Sequence, residues 1–291
     1  MNYVVMMSTN IMAKANRVYK TKVPVTKNQQ VEAEVVDITY QGMGVIKIDN
    51  FPIFVIDAIP GEVVQVGITK VLKSYAFGRV IKRVKASPNR AENVDKVAIT
   101  TGIAPLANLK YEAQLTFKQR QVEQLFKKVN VSVEVNPTIG MTDPTKYRNK
   151  AQVPVQMVNG QLETGFYRRG SHKLMPVEDF YIQDPKVDEA VSVTRDVLRD
   201  LGISAYDEET HKGVVRHIMA RRGFYSHELM VVIITNTKKL PEADNIAAAL
   251  RAKLPELKSF IHNINNHDTN VIMGQWNETV WGADEIHDQL M

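Results

Sequence analysis

The chain has 291 residues, no cysteine, and 37 Lys and Arg against 32 Asp and Glu, which gives a formal net charge of +5. The length suffices for two domains that each bury a core, and the missing cysteines exclude disulfides, thiolate metal sites and a cysteine nucleophile among these residues. No apolar run approaches the roughly 18 residues of a membrane span. We therefore expect a cytoplasmic protein without a membrane partner. The excess of basic over acidic residues favours an anionic binding partner.

The first segment, residues 1–25, is predicted to be a basic arm. Its apolar start is too short for a secretory signal and has no basic flank before it. Five basic residues then precede the first β-rich run or lie at its edge, namely Lys14, Arg17, Lys20, Lys22 and Lys27.

Residues 26–90 predict a small β barrel. VEAEVVDITY alternates with the period of two of a half-buried strand, and GVIKI, PIFVI, VVQVGITKVL and FGRVIKRVKA follow as further β-rich runs. Asp49-Asn50 and Pro60-Gly61 supply turn chemistry between them. Five strands with short links favour an OB-like barrel over a helical or doubly wound fold.

The charge of this barrel is one-sided. Residues 66–90 contain seven bases and no acid, and two aromatic residues lie among the bases. Exposed aromatics and cations on a small barrel suit a polyanion with stackable bases, which is RNA. The alternative is a solvated face without a ligand. The candidate RNA contacts on the barrel are Lys70, Lys73, Tyr75, Phe77 and Arg79.

Residues 91–291 predict a second domain of the α+β class. An apolar stripe over residues 111–129 predicts a helix with a buried face, and residues 130–135 predict a strand after it. Asp184 is a good N-cap, Pro185 suits the first turn, and Gly202 is a suitable end, so a second helix is predicted between them.

The same domain carries two predicted hairpins, one around the Asn159-Gly160 turn and one around Gly223. Pro241 predicts the start of another helix, and residues 259–265, 270–274 and 278–282 predict closing strands. Both hairpins are rich in bases, and residues 212–223 contain no acid at all. Arginine can grip phosphate with two bonds or stack on a base. These hairpins are therefore a second candidate RNA surface, the alternative being surface arginines without a partner.

Several motifs resemble a known family. QGMGVIKID, FVIDAIPGEVVQVGITKVLKSYAFGRV and SPNR resemble a TRAM domain, an RNA-binding barrel. YEAQLTFKQRQV, DPTKYRNKAQVPV, TGFYRRGSHKLMPVEDFYIQDP, GVVRHIMARRG and INNHDTNVIMG resemble the central domain of the uracil-C5 RNA methyltransferases, most closely the bacterial enzymes acting on 23S rRNA. The resemblance, with the arginines of the second hairpin, gives further RNA-binding candidates: Arg148, Asn149, Lys150, Arg168, Arg169, His172, Arg216, His217, Arg221 and Arg222.

Two departures from the family shape our expectation of activity. Residues 102–106 replace a cysteine-rich loop, so no iron–sulfur cluster is expected. The family's S-adenosylmethionine (SAM) domain supplies a glycine-rich loop, a cysteine that adds to uracil C6 and a general base; this sequence has neither a GxGxxG motif nor a cysteine. His227-Glu228 also lacks the second histidine of a zinc motif, so no metal and no catalytic residue are assigned.

We therefore predict a TRAM barrel and an α+β domain without the Rossmann-like SAM domain. The expected function is the RNA-binding portion of a 23S rRNA uracil-C5 methyltransferase, truncated, inactive alone and without a cofactor of its own. SAM, used by the full-length family, would then need a separately encoded partner domain. The alternatives are a stand-alone RNA-binding module or RNA chaperone, or a decaying gene product.

Overall fold

The alternating pattern of the first domain folds into six short strands. The structure is a computed structural model that describes residues 23–290, and residues 1–22 of the predicted basic arm lie outside the described residues. The strands are β1 (Gln30–Glu34), β2 (Asp37–Ile38), β3 (Met43–Ile48), β4 (Phe51–Ile56), β5 (Val63–Val71) and β6 (Ala76–Lys85).

These strands form one sheet in the order β1-β5-β6-β4-β3-β2. All neighbours are antiparallel except β4 and β6, which run parallel. Alternate side chains such as Ile46, Ile53 and Val66 are fully buried in one core. The β domain predicted for this region is present, with β2 as a strand that the sequence pattern did not separate from β1.

Two helices connect the domains. Helix α1 (Lys96–Thr101) is capped by Asp95, whose Oδ1 accepts the amide of Val97 at 2.7 Å, and it ends at Gly102 with φ of 79°. Helix α2 (Tyr111–Lys128) follows. No described helix is long and apolar enough to cross a membrane.

The predicted buried stripe of α2 is wrong. None of its residues is buried, and Leu125 is 61% exposed. Only the first half of the helix packs on the barrel, where Ala113 and Phe117 contact a small apolar cluster. The second half extends past that contact, and residues 130–135 form no strand.

The second domain is a seven-stranded mixed sheet in the order β13-β12-β11-β10-β7-β8-β9. Its elements are β7 (Lys150–Val158), β8 (Gln161–Tyr167), β9 (Leu174–Pro176), α3 (Pro185–Asp200), β10 (Val215–Arg222), β11 (Leu229–Thr235), α4 (Ala243–Lys253), β12 (Leu257–Ile264) and β13 (Trp276–Gly282). Both predicted hairpins, β7–β8 and β10–β11, are antiparallel pairs.

Helices α3 and α4 pack on one face of this sheet and share its main core. Asp184 caps α3 by accepting the amide of Lys186 at 2.7 Å, and Gly202 follows the helix with φ of 65°. Strands β11 and β12 run parallel, with α4 as their crossover. The sequence predicted these two strands and the helix between them but not their parallel pairing, and residues 270–274, predicted as a strand, belong to a loop instead.

Candidate nucleic-acid interface

Three aromatic rings cluster on the outer side of the barrel. Phe54, Tyr75 and Phe77 lie with ring centroids 5.5–6.0 Å apart, mostly edge to face. Strand pairing sets Lys70 of β5 opposite Phe77 of β6. Lys70, like Lys73 and Arg79, is exposed and forms no ion pair with any described carboxylate. The five barrel residues predicted from sequence therefore share one hairpin, β5–β6 with its turn.

The hairpin forms one wall of a cleft, and the connector with the β8–β9 turn forms the other. The cleft has a volume of about 940 Å³ and is lined by Tyr40, Gln41, Met43, Ile56, Thr69, Lys70, Phe77, Gly78, Thr101, Gly102, Pro105, Arg169 and Gly170. None of these residues is acidic. The cleft thus combines cations with aromatic rings, Tyr40 being 70% exposed.

The two walls meet at a very close contact. Gly42 has φ of 73°, and a Cβ added there would lie 1.8 Å from the carbonyl oxygen of Pro105. No side chain fits in that space, and the backbone conformation itself favours glycine. Gly42 therefore fixes how closely the barrel approaches the connector.

Arg169 reaches across the cleft. Its amide donates to the carbonyl of Thr100 at 3.1 Å, and its Nη2 donates to the carbonyl of Gln41 in the barrel at 2.9 Å. Gly102 leaves room for the guanidinium, since a Cβ there would lie 2.3 Å from Nε. Burial lowers the pKa of Arg169 from its usual value.

The charge of Arg169 is uncompensated. No described carboxylate lies within ion-pair distance of it, and its buried Nε has no hydrogen-bond partner among the described residues. A buried polar group without a partner costs free energy. A phosphate oxygen entering the cleft would supply both a countercharge and an acceptor.

The predicted KYRNK segment lies beside this region, outside the lining of the cleft. The amide of Arg148 donates to the carbonyl of Ile182 at 2.8 Å, and its Nε donates to the carbonyl of Lys150 at 3.0 Å. The carbonyl of Asn149 accepts the amide of Arg222 at 3.0 Å. Arg148 is exposed, so its terminal amino groups remain available to solvent or to RNA. Their assignment to RNA stays a prediction.

Two other predicted residues, Arg216 and His217, lie next to each other in β10 and offer little to a phosphate. Arg216 is buried; its Nη1 donates to the carbonyls of Asn265 and His267 at 2.9 and 2.7 Å, and its guanidinium lies 4.8 Å from the ring centroid of Tyr206. Burial, and secondly the charge of Arg216, lowers the pKa of His217 to about 4. His217 is therefore neutral at neutral pH and offers no cation to a phosphate.

Arg222 is also neutralised within the fold. It pairs with Glu256 at 2.6 Å and with Asp184 at 3.2 Å, and it donates to Nδ1 of His227 at 2.8 Å. His172 contacts Glu208 at 2.9 Å. By contrast, Arg168 and Arg221 are exposed and have no described ion-pair partner. The arginines among these candidates thus divide into accessible cations and side chains already used for structure, while the buried Nδ1 of His217 has no hydrogen-bond partner among the described residues.

The barrel shows the same division. Glu62 is fully buried; it accepts a hydrogen bond from Nε of Arg90 at 2.5 Å and forms an ion pair with Arg83, whose Nε lies 2.9 Å away. Burial alone would raise the pKa of Glu62, but the hydrogen bonds and charge of Arg90, with Arg83, hold it below its ordinary value. Both arginines also reach Asp57. Two of the seven bases counted in residues 66–90 therefore offer little charge to a ligand.

Sequence analysis missed Tyr40 and Gln41 as cleft residues. Both belong to the turn between β2 and β3, directly before Gly42. The available signal was an exposed tyrosine beside a turn glycine, but nothing in the sequence indicated that this turn faces Arg169, which lies 128 positions away along the chain.

Comparisons with known proteins agree on a relationship to RNA methyltransferases. A TRAM domain matches residues 24–81. A Lactiplantibacillus plantarum protein described as an uncharacterised RNA methyltransferase is 53% identical over 273 residues, which cover 94% of this chain and 60% of that protein. A Streptococcus agalactiae protein with a similar description is 43% identical over 91% of this chain and 59% of its own length. The chain spans about three fifths of the length of these relatives.

The fold is also shared with a solved enzyme. The crystal structure of Pyrococcus abyssi tRNA (uracil-54, C5)-methyltransferase in complex with S-adenosyl-L-homocysteine matches with a TM-score of 0.65 and 20% identity. The match covers 89% of this chain and 57% of that chain.

These findings confirm the TRAM domain and the likeness to RNA methyltransferases, and they correct three predictions. The prediction that the family's Rossmann-like SAM domain is absent is contradicted by the match of 89% of the chain to the structure of a methyltransferase. The prediction that the chain is only an RNA-binding portion, inactive alone, is contradicted, because relatives matching 94% of the chain are themselves described as RNA methyltransferases. The prediction that this chain has no cofactor of its own is contradicted, because the matching structure contains S-adenosyl-L-homocysteine.

The three errors have one cause. We took a missing glycine-rich loop and a missing cysteine as evidence about the fold, whereas a fold follows from apolar patterning and packing.

Proposed function

We propose that the protein is a SAM-dependent RNA methyltransferase acting at C5 of uracil, and that the cleft and the barrel hairpin beside it hold the RNA. The observation that carries the proposal is the uncompensated Arg169 in a cleft lined by Lys70, Phe77 and Tyr40. The similarity to RNA methyltransferases supports the reaction class.

The described geometry suits a single RNA strand better than a duplex. In A-form RNA the bases are stacked and their faces are hidden, whereas unpaired bases can stack on aromatic side chains. Phe77 and Tyr40 offer such faces, while Lys70 and Arg169 offer charge to the phosphates. We assign these four residues to binding and orientation of the strand, with no part in bond making.

The finer proposal concerns the substrate. The sequence motifs resemble those of enzymes that act on bacterial 23S rRNA, whereas the matching solved structure is of a tRNA methyltransferase. We propose 23S rRNA as the substrate. Binding competition between a 23S rRNA fragment and bulk tRNA tests this choice, and preference for tRNA would contradict it.

SAM is the proposed methyl donor, but the described residues do not fit the usual way of holding such a cofactor. An adenine nucleotide is commonly held by a glycine-rich turn after a parallel strand. Here residues 236–242, which link β11 to α4, contain no glycine. The sequence also contains no cysteine to add to uracil C6. We therefore assign no step of methyl transfer to the described residues.

Two measurements test the proposal. Anisotropy of a fluorescent RNA should report binding that weakens as the salt concentration rises, because phosphate contacts release counterions. An affinity that does not change with salt would contradict the assigned cleft.

Methylation at C5 replaces the C5 hydrogen, so protein and SAM should release tritium from rRNA labelled at uridine C5. Retention of the label together with methyl incorporation elsewhere would contradict the uracil-C5 assignment.

A further inference from the structure

The loop between β12 and β13 is held in one shape by buried side chains. Asn263 is fully buried; its Nδ2 donates to the carbonyls of Gly274 and Trp276 at 3.0 and 3.2 Å, and its Oδ1 accepts the amide of Gly274 at 2.8 Å. A Cβ on Gly274 would lie 1.8 Å from the carbonyl oxygen of Ile264, so the loop crosses directly over the end of β12.

Two further buried residues, Asn265 and Arg216, hold the same loop by hydrogen bonds to its backbone carbonyls. Asn265 is 1% exposed, and its Nδ2 donates to the carbonyls of Val271 and Ile272 at 2.6 and 3.1 Å. The guanidinium of Arg216 donates to two carbonyls at the start of the loop, as described above. Three buried polar side chains therefore have their hydrogen bonds satisfied largely by one surface loop, which fixes its conformation.

The fixed loop borders a pocket of about 460 Å³. The pocket is lined by Lys238, Ile264, Asn266, His267, Gln275 and Trp276. It lies where the parallel strands β11 and β12 end, and carboxyl ends of parallel strands are where ligands commonly bind in such sheets.

The lining combines an aromatic face, a cation and polar edges. Trp276 is 75% exposed although it is the largest side chain of the pocket. Lys238 is exposed and pairs with no carboxylate among residues 23–290. The nearest acid in the sequence of the loop, Asp268, is not part of the lining. This set suits a base that stacks, with a phosphate attached to it.

We propose that this pocket binds one unstacked nucleotide of single-stranded RNA, a second contact separate from the barrel cleft. The inference rests on the proposed RNA-binding function. The base would stack on Trp276, its phosphate would contact Lys238, and Asn266 and Gln275 would offer hydrogen bonds to its edge. Arg216, Asn263 and Asn265 act through the loop and are positioning residues.

The chain contains an internal control for this proposal. Its other tryptophan, Trp281, is half-buried, and the guanidinium of Arg251 lies 4.6 Å from its ring centroid. One face of Trp281 is thus already occupied. Of the two fluorophores, only Trp276 has a ring open to an incoming base.

The experiment uses the full chain and an oligouridylate of about ten nucleotides, within the site sizes of single-strand binders. Tryptophan fluorescence is titrated in parallel with the anisotropy of the same labelled RNA. We expect quenching to follow RNA binding in the wild type and in Trp281→Phe, and to disappear in Trp276→Phe. Trp276→Ala should weaken binding about tenfold, the range known for one stacked base, and Lys238→Ala should weaken it severalfold.

The two proposals fail in different ways. If anisotropy rises while Trp276 fluorescence stays constant and Trp276→Ala binds like the wild type, the pocket proposal is wrong and the cleft remains. If anisotropy never rises, the protein does not bind RNA, and both the proposed RNA-binding function and the pocket proposal are wrong. Quenching that grows with protein concentration alone, without RNA, would assign the pocket to a protein contact and also overturn the proposal.

Discussion

The cleft and the β10–β11 hairpin are both rich in cations, but they use them differently. In the cleft, Arg169 has no carboxylate partner and Lys70 is exposed, whereas in the hairpin Arg222 is bound by Glu256 and Asp184 and Arg216 is bound by loop carbonyls. A cation already paired inside the fold gains little from a phosphate, because it would have to give up existing contacts. Counting bases therefore overestimates an RNA surface, and accounting for their partners corrects it.

The largest expected effect is on stability, at the ion pairs that Glu62 forms with Arg83 and Arg90 in the barrel. Glu62→Ala should lower the free energy of unfolding by about 3–5 kcal/mol, because it leaves Arg83 and Arg90 without their buried countercharge. Denaturant unfolding measures the change. Glu34→Ala, at an exposed position of β1, is the matched control and should stay within about 0.5 kcal/mol. Equal stability of the two variants would show that the buried pairs do not hold the barrel.

The pH dependence of stability tests the protonation state of His217, which neighbours the paired Arg216. A histidine whose folded pKa of about 4 lies below its unfolded value stabilises the fold only while neutral. That contribution, up to about 3 kcal/mol, is complete above about pH 6.5 and is lost as the pH falls through 4. His217→Gln should flatten this part of the stability curve relative to the wild type. An identical pH profile would contradict the assignment of His217 as a half-buried, neutral side chain.

Arg169→Ala tests the uncompensated region directly. We expect RNA affinity to fall about tenfold, the effect of losing a charge-assisted contact of roughly 1.4 kcal/mol. Arg222→Ala is the control from the paired region: it should lower stability, because Glu256 and Asp184 lose their partner, while the salt dependence of RNA binding stays the same. If Arg222→Ala flattened the salt dependence and Arg169→Ala did not, the comparison would be reversed.

The smallest effect is expected at Lys70. Lys70→Ala should weaken RNA binding severalfold and reduce the slope of log affinity against log salt by about 1, since one phosphate contact is lost. Lys253→Ala, an exposed lysine at the end of α4, should leave the slope unchanged. Anisotropy titrations at several salt concentrations measure both variants.

The parts of the fold that sequence predicted are those set by neighbouring residues. The barrel strands, the Asn159-Gly160 hairpin and the Asp184 cap each follow from a few adjacent positions. The α2 stripe failed because its apolar pattern says nothing about whether a partner surface extends far enough to cover it.

The candidate site was predictable only in composition. Lys70, Phe77 and Arg169 could be proposed from residue type, but whether an arginine is available depends on carboxylates far along the chain. Glu62 lies 28 positions from Arg90, and Glu256 lies 34 positions from Arg222. Such pairings arise from strand order and crossover, which the alternation of side chains does not specify.

The contact at Gly42 gives the cleft a property beyond its charge. Because the carbonyl of Pro105 occupies the space where a side chain would begin, the gap between the two walls cannot narrow, and a methyl group at position 42 would wedge it apart. The spacing between the barrel and the connector is therefore set by backbone atoms at this point, and no change of side-chain rotamer at position 42 can alter it.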